Sequence, residues 1–221
     1  MAWADWTYLL DRAELLRAVL EFNGLTKPPD FGPAQGTPLA AALAATPRLW
    51  RLRPRGDEPM EAPVWCFEPE INRLALLPPE VTDGLELQWG AAVLAERAAR
   101  AIEGDACRRL RAEWGPELYG YALKRGRYQL GSLRSAFQAE QAEMEDDGVR
   151  DQAQALGRMA LNIGRAQWPE ELRSAWAARR RLENQVPGRI ADQGLAGRVF
   201  PWLKKILLTE VAPSWRPCFN C

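Results

Sequence analysis

The stretch Leu85 to Gly126, LELQWGAAVLAERAARAIEGDACRRLRAEWGPELYGYALKRG, constrains this chain more than any other. It is alanine-rich and helical in pattern, and it is broken at Gly104 and again at Gly115-Pro116. Leu87, Ala91, Leu94, Ala95, Ala98 and Ile102 recur on one face, and Glu96, Arg97, Arg100 and Glu103 on the other. So many alanines let neighbouring helices approach closely. Trp89 and Val93 fall towards the polar side, where a second neighbour or a partner protein can use them. The stretch holds no catalytic-looking constellation, so it suggests a protein that works by docking.

The rest of the chain extends the helical reading. Trp6, Leu9, Leu10, Ala13, Leu16 and Leu20 predict a helix over 5–22, stopped by Asn23-Gly24. Residues 27–38 carry too many prolines for helix or inner strand, and a short alanine-rich helix follows over 38–45. Residues 46–82 are punctuated by proline, and Val64-Trp65-Cys66-Phe67 reads as a short strand or a buried irregular segment. Thr82 or Asp83 is the expected N-cap of the next helix, with Glu86 placed to complete a capping box. Further helices are expected over 105–114, from Pro116 to about Arg125, and over 128–146, 149–165 and 169–183. Residues 184–197 read as a turn-rich connection. The helix 199–212 is apolar almost all round and so belongs in a core. The fold class is therefore mainly α: an irregular helical bundle with a proline-rich, loop-rich N-terminal third that has room for one short strand. Residues 1–82 are expected to pack on a body formed by 83–221 as one integrated domain.

Composition removes several functions. There are 221 residues with Lys+Arg and Asp+Glu both at 29, so a nucleic-acid binder, which needs a basic excess, is disfavoured. Histidine is absent, which removes Ser-His-Asp and Cys-His catalysis and HExxH zinc sites. Enzymes that use only carboxylates or lysine remain open as an alternative, and a helical transcription regulator is a third reading. The opening residues carry Asp5 and Asp11 and do not resemble a signal peptide, and no stretch reaches the roughly 20 apolar residues of a membrane span. A cytosolic chain with reduced thiols is the expectation. Ten tryptophans point to core packing and interface anchoring.

The remaining motifs weigh towards ordinary roles. Cys218-x-x-Cys221 has the spacing of a zinc or redox pair, but no histidine completes a site and no βαβ context surrounds it. The run Glu140, Glu143, Glu145, Asp146, Asp147 lacks the spacing of a calcium loop and reads as a solvated helix end or an electrostatic docking patch. Arg179-Arg180-Arg181 reads as a solvated helix end. Lys124-Arg125-Gly126-Arg127-Tyr128 mixes basic and aromatic residues, but it is short and isolated for a nucleic-acid surface. No glycine-rich nucleotide loop is present.

Against this background the segment LALLPPEVTDGLELQWGAAVLAERAARAI resembles the central part of the K subunit family of bacterial type III secretion systems. In that family a leucine-proline segment leads into a helix with a small residue near its middle and a basic pair near its end. Leu76-Leu77-Pro78, Gly90 and the Arg97/Arg100 pair match those features. LRAEWGPELYGYALKRG is similar to the family's next two short helices, and FPWLKKILLTEVAPSWRPCF to its closing helix and proline-bearing exit. The resemblance covers 74–126 and 199–219.

The resemblance implies a cytosolic accessory protein of the injectisome sorting platform, peripheral to the inner membrane. It would link the cytoplasmic domain of the inner-membrane ring protein to the pod protein, and through that to the stator and ATPase. It implies no catalysis, no cofactor, no metal, no nucleic acid and no direct membrane insertion. On this reading one contact surface is expected around Trp89, Arg97, Arg100, Trp114 and Tyr119, and a second at Glu143, Asp146 and Asp147.

Overall fold

The computed structural model describes residues 12–24, 64–101, 104–137, 148–180 and 193–219. Within them the chain is mostly helical, and no strand occurs among the described residues. The helices are α1 Ala13–Phe22, α2 Pro79–Val93, α3 Ala95–Arg100, α4 Gly104–Lys124, α5 Leu133–Ala136, α6 Val149–Arg165, α7 Glu170–Arg180 and α8 Gln193–Ile206. A 3-10 helix, Glu70–Leu76, precedes α2, and a π-helical turn, Leu207–Val211, extends α8. The expected helix over 38–45 lies outside the described residues.

The architecture is set where α2 crosses α6. A β-carbon at Gly90 would overlap the backbone of Ala153, and one at Gly157 would overlap the backbone of Glu86. The two contacts are reciprocal and four residues apart on each helix, and they run in opposite directions. The helices are therefore antiparallel and touch backbone to backbone, which only glycine at both positions allows. Arg158 and Glu86 pair at 3.7 Å beside the crossing.

Proline determines where α2 begins. Pro78 is extended (φ −64, ψ 157) and its carbonyl accepts the amides of Val81 and Thr82 at 3.1 and 3.0 Å. Pro79 takes the first helical position, where its fixed φ suits the helix and its missing N–H costs nothing. The helix thus starts a turn earlier than the expected Thr82 or Asp83 cap. Thr82 lies inside it, donating its hydroxyl to the Pro78 carbonyl at 3.1 Å. At Leu94 the backbone leaves helical geometry (φ −79, ψ −1), and α3 follows.

α4 bends at Gly115, whose φ of 77 and ψ of 160 no residue with a β-carbon adopts readily, and Pro116 opens its second arm. The break falls where the sequence predicts it. Leu110, Trp114, Leu118, Tyr121 and Ala122 face inward from both arms. In α8 the residues Val199, Leu203 and Ile206, and Leu207 at the start of the π-helical turn, are fully buried, as the apolar pattern requires, and each contributes about 2 kcal/mol. α8 begins at Gln193, inside the span expected to be a turn-rich connection.

Two expectations change. The buried stripe of α1 is Leu15 and Val19 rather than Ala13, Leu16 and Leu20, since the segment it meets lies on that side. Asn23 joins the two: its amide donates to the Val19 and Val64 carbonyls (3.0 and 2.8 Å) and accepts the Val64 amide at 2.9 Å. The 64–67 segment is irregular, not a strand, with Phe67 edge-on to Phe22 at 5.3 Å. A continuous helix from 128 does not form either. Leu130 (φ 68) and Gly131 (φ 47) turn left-handed before the short α5, because Arg134 draws the preceding carbonyls around itself.

Arg73, 2% exposed, closes the fold. Its guanidinium donates to the carbonyls of Phe67 (2.9 Å), Glu68 (2.8 Å) and Cys218 (3.0 Å), and Glu70 balances its charge from 3.8 Å. Lys204 of α8 reaches the same Glu70 at 2.9 Å, and the Trp168 indole donates to the Ile71 carbonyl at 2.9 Å. The C-terminal 3-10 helix Pro213–Cys218, the Glu70–Leu76 helix and α8 are thereby tied together.

Gly90→Ala and Gly157→Ala should each destabilise the fold by about 3 kcal/mol, because the added methyl forces two backbones apart. Gly120→Ala has open space at its β-carbon and should instead stabilise α4 by up to about 1 kcal/mol. Urea midpoints of the three variants check this contrast.

Candidate functional site

The residues expected to form one contact surface separate into two groups. Trp89 is fully buried, edge-on to Phe137 at 5.8 Å, and Trp114 is 3% exposed. Neither can anchor a partner. Val93, read as open to a second neighbour or a partner, is buried by a second neighbour. The correction has a physical cause: α2 packs on α6 by one side and on α4 and the Gly126–Tyr128 turn by another, so its nominally polar flank is also covered. The indole N–H groups of Trp89 and Trp114 meet no acceptor, which costs each about 1 kcal/mol or more.

The charged members do reach solvent. Arg97 donates to the amide oxygen of Gln152, a buried residue of α6, at 2.9 Å, while its own side chain remains at the surface. Arg100 is exposed and pairs with Glu96 at 3.4 Å. Tyr119 is half-buried, and the nearby Cys107 thiol donates to the Ala101 carbonyl at 2.6 Å. Beyond α3, Arg108, Arg109 and Arg111 at the start of α4 are exposed as well, Arg108 pairing with Asp105. Glu143, Asp146 and Asp147 lie outside the described residues.

Glu96 connects α3 to a feature that the residue pattern does not announce. It accepts from Arg134 at 2.7 Å as well as from Arg100. Arg134 is largely buried, and its other terminal nitrogen donates to the carbonyls of Gly126 (3.2 Å), Arg127 (2.9 Å) and Gln129 (3.2 Å). It thereby holds the Gly126–Gly131 loop in shape. A helix-interior arginine in a polar segment gives no sequence signal of this role.

The titratable groups point to structure rather than chemistry. Burial first, then the charge of Glu171, pushes the Cys66 thiol up, and burial followed by Glu14 does the same for Cys218. Thiols so placed are weak nucleophiles at neutral pH. Tyr121 donates to the Gln129 amide oxygen at 2.6 Å. Burial, then the charge of Glu210, raises its pKa well above the ordinary tyrosine value, with Arg125 partly offsetting them. Among the described residues no group of three or more Cys, Asp or Glu is placed to hold a metal ion, and no helix is long and apolar enough to cross a membrane.

Arg134→Met leaves three carbonyls without their donor and Glu96 with Arg100 alone, and should cost about 3 kcal/mol in a urea midpoint; Arg134→Lys should recover less than half, since one ammonium cannot span the four acceptors. Tyr121, Cys66 and Cys218 all keep their protons in the folded chain where the unfolded chain releases them. Stability should therefore be full below about pH 8 and fall as pH rises through about 9 to 11. Tyr121→Phe should make that fall shallower above about pH 10, checked by urea midpoints across the range.

None of the family models, curated proteins or solved structures compared with this chain matches it.

Proposed function

We propose that this chain is a non-catalytic adaptor of the type III secretion sorting platform. In this role it joins the cytoplasmic domain of the inner-membrane ring protein to the pod protein, and through that to the stator and ATPase. The observation that carries the reading is the position of the residues on which the resemblance rests. Gly90, the small mid-helix residue, lies at the α2–α6 backbone crossing. Leu76 and Leu77 are buried, and Pro78 turns the chain into α2. Each of these has a structural task that a shared fold would demand. The basic pair Arg97 and Arg100 lies on the solvent side, Arg97 also donating to Gln152 of α6 and Arg100 pairing with Glu96.

A helical body with a closely packed core and charge displayed on short helices suits docking between larger components. The face made by α3 and the first arm of α4 is the contact surface of this proposal, with Arg97 and Arg100 replacing the buried tryptophans as its anchors.

Co-purification with the ring protein's cytoplasmic domain and with the pod protein, followed by light scattering, tests the role. A defined complex with one of them is expected. Arg97→Glu combined with Arg100→Glu should weaken that complex about tenfold or more while leaving the circular dichroism spectrum unchanged. Absence of a complex with either protein, with the chain folded, overturns the assignment.

A further inference from the structure

Among the described residues one large apolar side chain stands out in solvent: Tyr128, 73% exposed. A single exposed aromatic is ordinary on a protein surface. The loop that carries it is not. Gly126 packs so closely that a β-carbon there would lie 3.1 Å from the Cα of Ala92. Leu130, at the other end, is 1% exposed and held at φ 68, a conformation that a branched residue adopts only under constraint. Between them Arg134 gathers the carbonyls of Gly126, Arg127 and Gln129, and the Gln129 side chain is fixed by the Tyr121 hydroxyl at 2.6 Å. A buried cation, a buried hydrogen bond and a left-handed leucine all hold one short loop whose tip is a free tyrosine. Strain of this kind persists where the surroundings over-determine it, and it collects at binding elements.

The charge around the tip is mostly positive, with Glu210 the carboxylate beside Arg125. Arg127 lies over the Tyr128 ring, its guanidinium carbon 5.0 Å from the centroid. Lys124, Arg125 and Arg198 are exposed nearby, Arg198 reaching Ser132 Oγ at 3.2 Å. Of these four cations only Arg125 has a carboxylate partner among the described residues, Glu210 at 2.7 Å. Tyrosine and arginine dominate the energetics of protein interfaces, and an anchor already fixed in its bound shape loses little entropy on docking.

We propose that the Gly126–Gly131 loop is a preorganised docking knob for an acidic segment of a partner protein. The Tyr128 ring enters an apolar slot beside that segment's carboxylates, and Arg127, Lys124 and Arg198 pair with them. Nucleic acid fits less well. Single-stranded binding uses successive aromatics, of which this loop has one, and a basic excess, which the whole chain lacks. The knob does not depend on the secretion reading, because it follows from the loop alone.

Fluorescence anisotropy of the full chain tests it. The probes are an arrayed set of Glu-rich peptides with Leu, Pro or Phe between the carboxylates, the same peptides with Gln for Glu, and a single-stranded oligothymidine. At least one Glu-rich peptide should bind in a salt-sensitive way, and its Gln counterpart should not. Tyr128→Ala and Arg127→Glu should each weaken binding about tenfold or more, whereas Arg17→Glu on α1 should leave it unchanged. Both altered loop side chains are exposed, so the variants should keep the wild-type circular dichroism spectrum. Tyr128→Phe should retain most of the binding. The proposal is overturned if no Glu-rich peptide binds, if Tyr128→Ala binds as the parent does, or if oligothymidine binds more tightly than every peptide.

Discussion

Two helix backbones in direct contact govern this molecule. Where Gly90 meets Ala153 and Gly157 meets Glu86, no side chain separates α2 from α6. Interaxial distance is normally set by the side chains at the crossing, so their removal draws the two helices together and fixes their register. Everything beside the crossing must then fit around it. Arg158 can reach Glu86, Arg97 can reach Gln152, and Trp89 is pressed against Phe137 on another side of α2. A helix held this closely on one side and covered on another has little surface left for partners, which is why contact with solvent passes to the short elements beyond it.

The irregular segments are held by another means. Arg73 and Arg134 are both almost removed from water, and each turns donors onto three backbone carbonyls, Arg73 through three nitrogens and Arg134 through Nη2 alone, its Nε meeting no acceptor. Segments without helical bonding leave such carbonyls unpaired, and a buried unpaired carbonyl is costly. A guanidinium, with five donors in a planar fork, can satisfy several at once. Each arginine keeps one carboxylate near it, Glu70 and Glu96 respectively, so its charge is not buried alone. The proline-bearing tail and the Tyr128 loop are rigid for the same chemical reason.

The helices and their breaks were largely legible in the residues. Gly115-Pro116, the span 149–165 and the apolar run after Val199 behave as local rules require, because glycine geometry, proline geometry and hydrophobic period act over a single turn or two. Faces were less legible. In α2 alanine, glycine and leucine are spread around the whole circumference, so periodicity does not say which flank is covered, and of the two readings open for Trp89 and Val93, a second neighbour or a partner, it is the second neighbour that buries them. The role of Gly157 was hidden, since a glycine in a helix explains itself only through the second backbone it meets. Arg134 was hidden likewise: its acceptors are carbonyls, which every residue has. The exposure of Arg97 and Arg100 was legible, as charge on a short helix rarely has anywhere else to go.

The Arg73 clamp bears on the order of events in folding. The bond to the Cys218 carbonyl spans 145 residues of sequence. Closing a loop of that length costs about 4 kcal/mol of chain entropy before any contact rewards it. The helices of α2 to α6 form from much nearer neighbours and can assemble first. The tail then seats on a surface already in place. Seated in this way, the tail keeps the Cys218 thiol, 5% exposed, away from solvent across a chain separation that only the finished fold closes.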